Sequence, residues 1–270
     1  MKDVLLDFRG YRHYRRFTKR MNQIAGEWGM TKTHFRNPSG ASWNSRMSPK
    51  DLTILGGHAI ENALILHAWQ QEAETIEIQG TGQRTVRIVN TVLESGKPTM
   101  GDYLIGGKSG SWGTNNKSHL FLCRTKMGDL ILSVFAKDDV SFEHIYDIGD
   151  ELCRLVEGEE TGTNLKHLIQ CGGGYCIAFV GQTGIYDAFN ADEEYIPASV
   201  TKVMTALVAL MYHDDLNSDI IVRPIDISSG SGSHFTAGDR VRLIDAISIM
   251  LLESSNTMAN AIARTIGSEL

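Results

Sequence analysis

Ser199 and Lys202 stand three residues apart in Ile196-Pro197-Ala198-Ser199-Val200-Thr201-Lys202. The apolar spacing beyond them predicts a long helix from about Ala198 to Tyr212. Side chains three apart share one face of a helix. A serine in the first turn has its peptide N–H unpaired, at the positive end of the helix dipole. That suits a nucleophile whose attack creates an oxyanion. A lysine one turn on can take the serine's proton, provided burial or a second cation lowers its pKa. A helix-capping serine followed by a surface lysine has the same spacing, so this pair alone does not single out chemistry.

Two further groups do. Leu251-Leu252-Glu253-Ser254-Ser255-Asn256 places a Ser-x-Asn between two amphipathic helical patterns. Gly106-Gly107-Lys108-Ser109-Gly110-Ser111 places a Lys-Ser-Gly on a strand, with glycines where a substrate backbone could approach closely. SxxK, SxN and K[ST]G together are the active-site set of penicillin-recognising serine hydrolases. The flanks extend the likeness. Asn190-Ala191-Asp192-Glu193 through Leu210, Phe235-Thr236-Ala237-Gly238-Asp239 followed by 243–261, His34-Phe35-Arg36-Asn37-Pro38-Ser39-Gly40 and Met47-Ser48-Pro49-Lys50-Asp51-Leu52 all contribute. In these segments the chain resembles the serine-type D-alanyl-D-alanine carboxypeptidases, the low-mass penicillin-binding proteins. The resemblance covers nearly the whole chain and is weakest at 70–100.

The resemblance implies a role for each motif residue. Ser199 is the nucleophile that is acylated and Lys202 its general base. Ser254 relays the proton to the leaving amine, and Asn256 holds the substrate's amide. Lys108 binds the substrate carboxylate and depresses the pKa of Lys202, Ser109 hydrogen-bonds that carboxylate, and Gly110 lines the substrate site. The backbone N–H groups of Ser199 and Ser111 form the oxyanion hole. Ser109 stands where threonine is commoner and keeps the hydroxyl. No metal and no organic cofactor is implied. The implied partners are a peptidoglycan stem peptide or another D-Ala-D-Ala peptide, with β-lactams as inhibitors. Family members work outside the cytoplasmic membrane, yet Met1–Met21 is charged throughout and does not read as a secretory signal.

The motif order is rotated. The family runs SxxK, SxN, NPxG loop, K[ST]G; here the order is NPSG, KSG, SxxK, SSN. This is one circular permutation, cut between Ile266 and the helix beginning near residue 11. Residues 157–163 would join the family's last and first helices. Neighbouring surface ends make such a cut tolerable. A domain-swapped dimer, with Lys108 and Ser199 from different chains, is one arrangement this permits.

The elements that must position these residues read as helix, then sheet, then helix. Tyr14, Phe17, Met21, Ile24 and Trp28 mark a helix over 11–29, and Ser48-Pro49 opens another that runs to residue 69. Thr85–Val92 reads as strand, Ser95–Asp102 as a turn, and Tyr103–Ile105, His119–Thr125 and Leu130–Ala136 as strands. Ser141–Val156 is helical, a short helix lies near Leu165–Ile169, Tyr175–Val180 and Ile185–Phe189 are strands, and a helix pair spans Leu243–Ile266. The fold class expected is α+β: an antiparallel sheet flanked by helices plus an all-helical lobe, β-lactamase/transpeptidase-like and circularly permuted. Length allows two domains or one large one. The reading adopted is a single catalytic domain over 1–270, with a helical lobe from about 1–80 and 197–270 and a sheet lobe over about 81–196.

Composition removes other classes. The chain has 270 residues, is 42% hydrophobic and 21% charged, and carries a formal charge of -6, with a pI near 5.8. It can bury a core and is not a disordered chain. The balance argues against a dedicated nucleic-acid binder, and the basic start (Arg9, Arg12, Arg15, Arg16, Lys19, Arg20) reads as a solvated helix face. No apolar stretch is long enough for a transmembrane span. A phosphate loop fails because the position five before Gly107 is Asp102. The histidines lack ligand spacing, and His58 and His67 read as core or rim residues. Of four cysteines, Cys123 and Cys153 read as core; Cys171 and Cys176 could pair but read as inert thiols.

Two alternatives remain in view. A β-lactamase or esterase/amidase could use the same scaffold, but Glu61-Asn62 is the sole E-N pair near the NPSG region and falls inside a helix. A non-catalytic penicillin- or peptidoglycan-binding module would need no nucleophile, which the intact motif set argues against.

Overall fold

The first and last helices of the chain lie side by side. The structure, a computed structural model, describes residues 8–137, 140–160, 162–232 and 234–270. Helix α1 (Phe8–Glu27) buries Phe17, Met21 and Ile24 along one stripe and packs on α9 (Asn256–Ile266). The approach is close: a Cβ on Gly267 would stand 2.2 Å from the carbonyl oxygen of His13. Residues 1–7 of the segment that does not read as a signal lie outside the described residues.

A five-stranded antiparallel sheet forms the middle: β3 (Leu104–Trp112), β4 (Asn116–Thr125), β5 (Gly128–Ala136), β6 (Gly174–Phe179) and β7 (Asp187–Phe189), in that spatial order. Strand alternation sends side chains to opposite faces. Leu120, Ile131 and Phe135 join one core with α1, α2 (Pro49–Glu61), α3 (Ala63–Gln70), α7 (Thr201–Tyr212), α8 (Leu243–Leu252) and α9. Phe121, Leu130, Leu132 and Val134 join a second core with α4 (Thr91–Met100), α5 (Phe142–Val156) and α6 (Thr163–Gln170). The expected class holds: an antiparallel sheet flanked by helices. Two hairpins stand apart, β1 (Ala73–Ile78) with β2 (Arg84–Val89) and β8 (Asp219–Ile221) with β9 (Arg240–Arg242).

Three local expectations are corrected. The helix expected through 48–69 breaks at Asn62, whose Oδ1 accepts from the N–H groups of Leu64 and Ile65 and so starts α3. The strand expected over 85–92 ends at Val89, and its partner β1 was not anticipated. Ser95–Asp102, expected as a turn, lies largely within α4. There Asn90 Oδ1 accepts from Val92 and Leu93, and its amide donates to the carbonyls of Trp69 and Gln71. That tertiary anchoring outweighs Gly96 and Pro98.

The start of α6 is held by α5. The Glu151 carboxylate on α5 accepts from the backbone N–H groups of Asn164 and Leu165, capping α6. Thr161, within the expected connector 157–163, lies outside the described residues. All four cysteines are free thiols. Among the described residues no helix is long and apolar enough to cross a membrane.

Candidate active site

Ser199 sits in a 3₁₀ turn, Ala198–Val200, that runs directly into α7. Ala198 takes φ +48°, an uncommon value for a residue with a Cβ. The NPSG loop presses on this turn: a Cβ at Gly40 (φ +78°) would lie 1.8 Å from the Ala198 carbonyl oxygen. Only glycine permits that contact, and Asn37 Oδ1 holds the loop by accepting from Gly40 N–H at 2.8 Å.

Lys202 is wholly buried and its Nζ has three partners at 2.8 Å: the Ser39 carbonyl, Asn256 Oδ1 and Ser199 Oγ. The Asn256 amide is oriented by its own Nδ2, which donates to the Ser229 carbonyl at 3.0 Å. Among the described residues no carboxylate neutralises the amine. Burial first, and then the Lys108 charge, hold Lys202 well below the ordinary lysine range. A neutral lysine has two N–H groups and one lone pair. The Ser39 carbonyl and Asn256 Oδ1 can only accept, so they take the two N–H groups. The lone pair is left for Ser199 Oγ–H. The arrangement is that of a general base poised on a hydroxyl.

Lys108, Ser109, Gly110 and Ser111 come from β3, which is an edge strand and therefore has peptide groups free for a ligand. Gly110 is required by proximity: a Cβ there would stand 2.7 Å from the Ser199 backbone nitrogen and 2.9 Å from the Pro197 carbonyl oxygen. Lys108 is fully buried, donates to the Ser109 carbonyl at 3.0 Å, and is brought by burial to a pKa of about 7. Ser254 occupies the turn between α8 and α9 at φ +65°, and Ser255 Oγ caps α9 by accepting from Met258 N–H. Glycines in the covering loop make room, since a Cβ at Gly230 would meet Asn256 Nδ2 at 2.7 Å.

One cleft of about 280 Å³ is lined by Ser109, Gly110, Ser111, Ser199 and Ser254. Lys202 and Asn256 lie behind Ser199, and Lys108 lies within electrostatic reach of Lys202. One chain therefore brings together all eight residues singled out from the sequence. Sequence reasoning missed the Ser39 carbonyl, a backbone group that leaves no side-chain signal. It also missed Thr91, Ser95, Phe142, Tyr146, Ser231 and Glu253, which complete the cleft wall. The first two ride on α4, where the end of a strand was expected at Thr91 and a turn at Ser95. Glu61 lies elsewhere, on a groove with Ile54 and Phe179. His58 stacks on Trp28 with ring centroids 3.9 Å apart, and His67 is exposed.

Residues 13–135 match the family model for D-alanyl-D-alanine carboxypeptidase, and residues 162–269 match that for the beta-lactamase enzyme family. Neither the curated proteins nor the solved structures gave a match. The fold, the serine–lysine site and the two matches define a serine hydrolase of the penicillin-binding and β-lactamase type. Each match covers less than half of the chain, and together they support a protein similar to the serine D-alanyl-D-alanine carboxypeptidases and β-lactamases. The carboxypeptidase match precedes the β-lactamase match, in keeping with the rotated motif order.

Proposed function

We propose that this protein is a circularly permuted serine hydrolase that removes the terminal D-alanine from D-alanyl-D-alanine peptides through an acyl-enzyme on Ser199. The observation that carries this reading is the Lys202 hydrogen-bond set, whose two obligate acceptors leave the amine lone pair for Ser199. Residues 1–270 act as one catalytic domain in it, because both the sheet edge and the helical lobe contribute to the cleft.

The substrate lies along β3 with its C-terminal carboxylate at Ser109 and the Lys108 ammonium. Ser199 Oγ attacks the carbonyl carbon of the penultimate residue, and its proton passes to Lys202 Nζ. The N–H groups of Ser199 and Ser111 hold the developing oxyanion; losing one such donor slows acylation by roughly 100-fold or more. The C–N bond then breaks. The D-alanine amine receives the proton from Lys202 by way of Ser254 Oγ. Water completes the cycle by hydrolysing the ester and restoring the serine. A β-lactam enters the same site and acylates Ser199. Glu61 lies away from the cleft, so its placement does not favour rapid release of a penicilloyl ester.

Intact mass after incubation with benzylpenicillin tests this. The expected result is a one-to-one adduct on the wild type, absent from Ser199→Ala, and D-alanine release from a peptide ending in D-alanyl-D-alanine. A folded wild type that takes no adduct overturns the assignment in favour of a binding module or another acyl group. An adduct that forms and is quickly lost points to a β-lactamase.

A further inference from the structure

The solvent face of α1 is a cationic ridge that the hydrolytic reading does not use. No Asp or Glu occurs between Phe8 and Gly26, whereas Arg9, Arg12, Arg15, Arg16, Lys19 and Arg20 all fall in that stretch. At 3.6 residues per turn these six occupy one arc of about 140°, opposite the stripe that buries Phe17, Met21 and Ile24. Arg20 is paired, with Glu27 at 3.1 Å. Arg9, Arg12, Arg15, Arg16 and Lys19 are exposed and form no ion pair among the described residues. The chain as a whole is at -6, so this charge is segregated rather than spread.

We infer that this face of α1 docks the protein onto an anionic lipid bilayer. Three features select a bilayer over a nucleic acid. The cations form a straight ridge about 18 Å long on a rigid helix, which fits a plane. The rest of the molecule carries net negative charge, and a pI near 5.8 is far below the basic values of nucleic-acid-binding domains. Beside the ridge Tyr11 is 56% exposed, an amphipathic ring of the kind that settles at lipid headgroups. Because the apolar stripe is committed to the core, the helix cannot insert as free amphipathic helices do. Binding is electrostatic, and salt reverses it.

The test is co-sedimentation of the whole protein with phosphatidylglycerol/phosphatidylcholine vesicles at low and high salt. Binding is expected at low salt, with little to pure phosphatidylcholine and loss at high salt. Each cation contributes roughly fivefold to partitioning, so Arg12→Glu combined with Arg16→Glu should lower it by about 25-fold or more. Lys32→Glu combined with Lys166→Glu makes the same change of net charge at exposed sites elsewhere and should cost far less. Thermal midpoints of both variants verify that they fold. Equal binding by the two variants overturns the proposal, as does binding indifferent to lipid charge. Tighter binding to duplex DNA than to vesicles at the same salt overturns it too and reassigns the ridge to nucleic acid.

Discussion

Of the places where this protein buries charge, two do so in opposite ways. Arg264 on α9 is 5% exposed and Asp226 is 1% exposed, yet each has its counter-charge. The guanidinium donates to the Asp226 carboxylate at 2.8–3.1 Å and to the Ile221 carbonyl at 2.7 Å. The same carboxylate accepts from Arg223 N–H, closing the turn Pro224–Asp226. At the cleft, Lys108 and Lys202 are both at 0% exposure, and the partners recorded for them are carbonyls, an amide and a hydroxyl. The first site spends its polar groups on holding a loop to a helix. The second keeps amines with no counter-ion among the described residues, and their burial lowers their pKa from the ordinary lysine range.

The largest expected effect comes from removing the base. Lys202→Met should lower the rate of Ser199 acylation by a β-lactam by about 10³-fold or more. Acylation that persists would mean another group takes the proton. Next comes the paired site. Asp226→Ala should lower stability by about 3–5 kcal/mol in urea unfolding, because it strands a buried guanidinium. A small loss there would erase the contrast between the two sites.

The third effect is smaller and concerns pH. Lys108 titrates near 7 when folded and near its ordinary 10.5 when unfolded. Between those values the unfolded chain binds more protons, so stability rises with pH, at a slope of at most about 1.4 kcal/mol per unit from this group. Measured against Lys108→Met, the wild type should gain stability from pH 7 towards 10 and show a level difference below 7. A difference that does not vary with pH would mean that Lys108 keeps its proton in the fold. In the same range, acylation by an anionic β-lactam should fall as Lys108 loses the charge that holds the carboxylate.

The motif residues were legible because each triad or tetrad is local. Ser199 and Lys202 are one turn apart, Ser254 and Asn256 flank one turn, and Lys108 to Ser111 follow one strand. The helix cap was equally plain at Ser48, whose side chain accepts from the Asp51 N–H group. The cleft wall was not. The helix that carries Thr91 and Ser95 contains Gly96 and Pro98, and local propensity there points to a turn. Its start is held by Asn90, which reaches back to the carbonyls of Trp69 and Gln71. Such long-range bonds leave no periodic trace.

What the sequence by itself determined is the inventory: a nucleophile, a lysine, an amide, a cationic strand, and the rotated order in which they occur. Tertiary structure alone decided that the Ser39 carbonyl and Asn256 Oδ1 converge on Lys202 Nζ. It also decided that Gly110 brings β3 against the Ser199 amide, and that among the described residues no carboxylate pairs with either buried amine at the cleft. The physical reason is that side-chain chemistry is written residue by residue. Desolvation and hydrogen-bond direction exist only once distant segments have packed together.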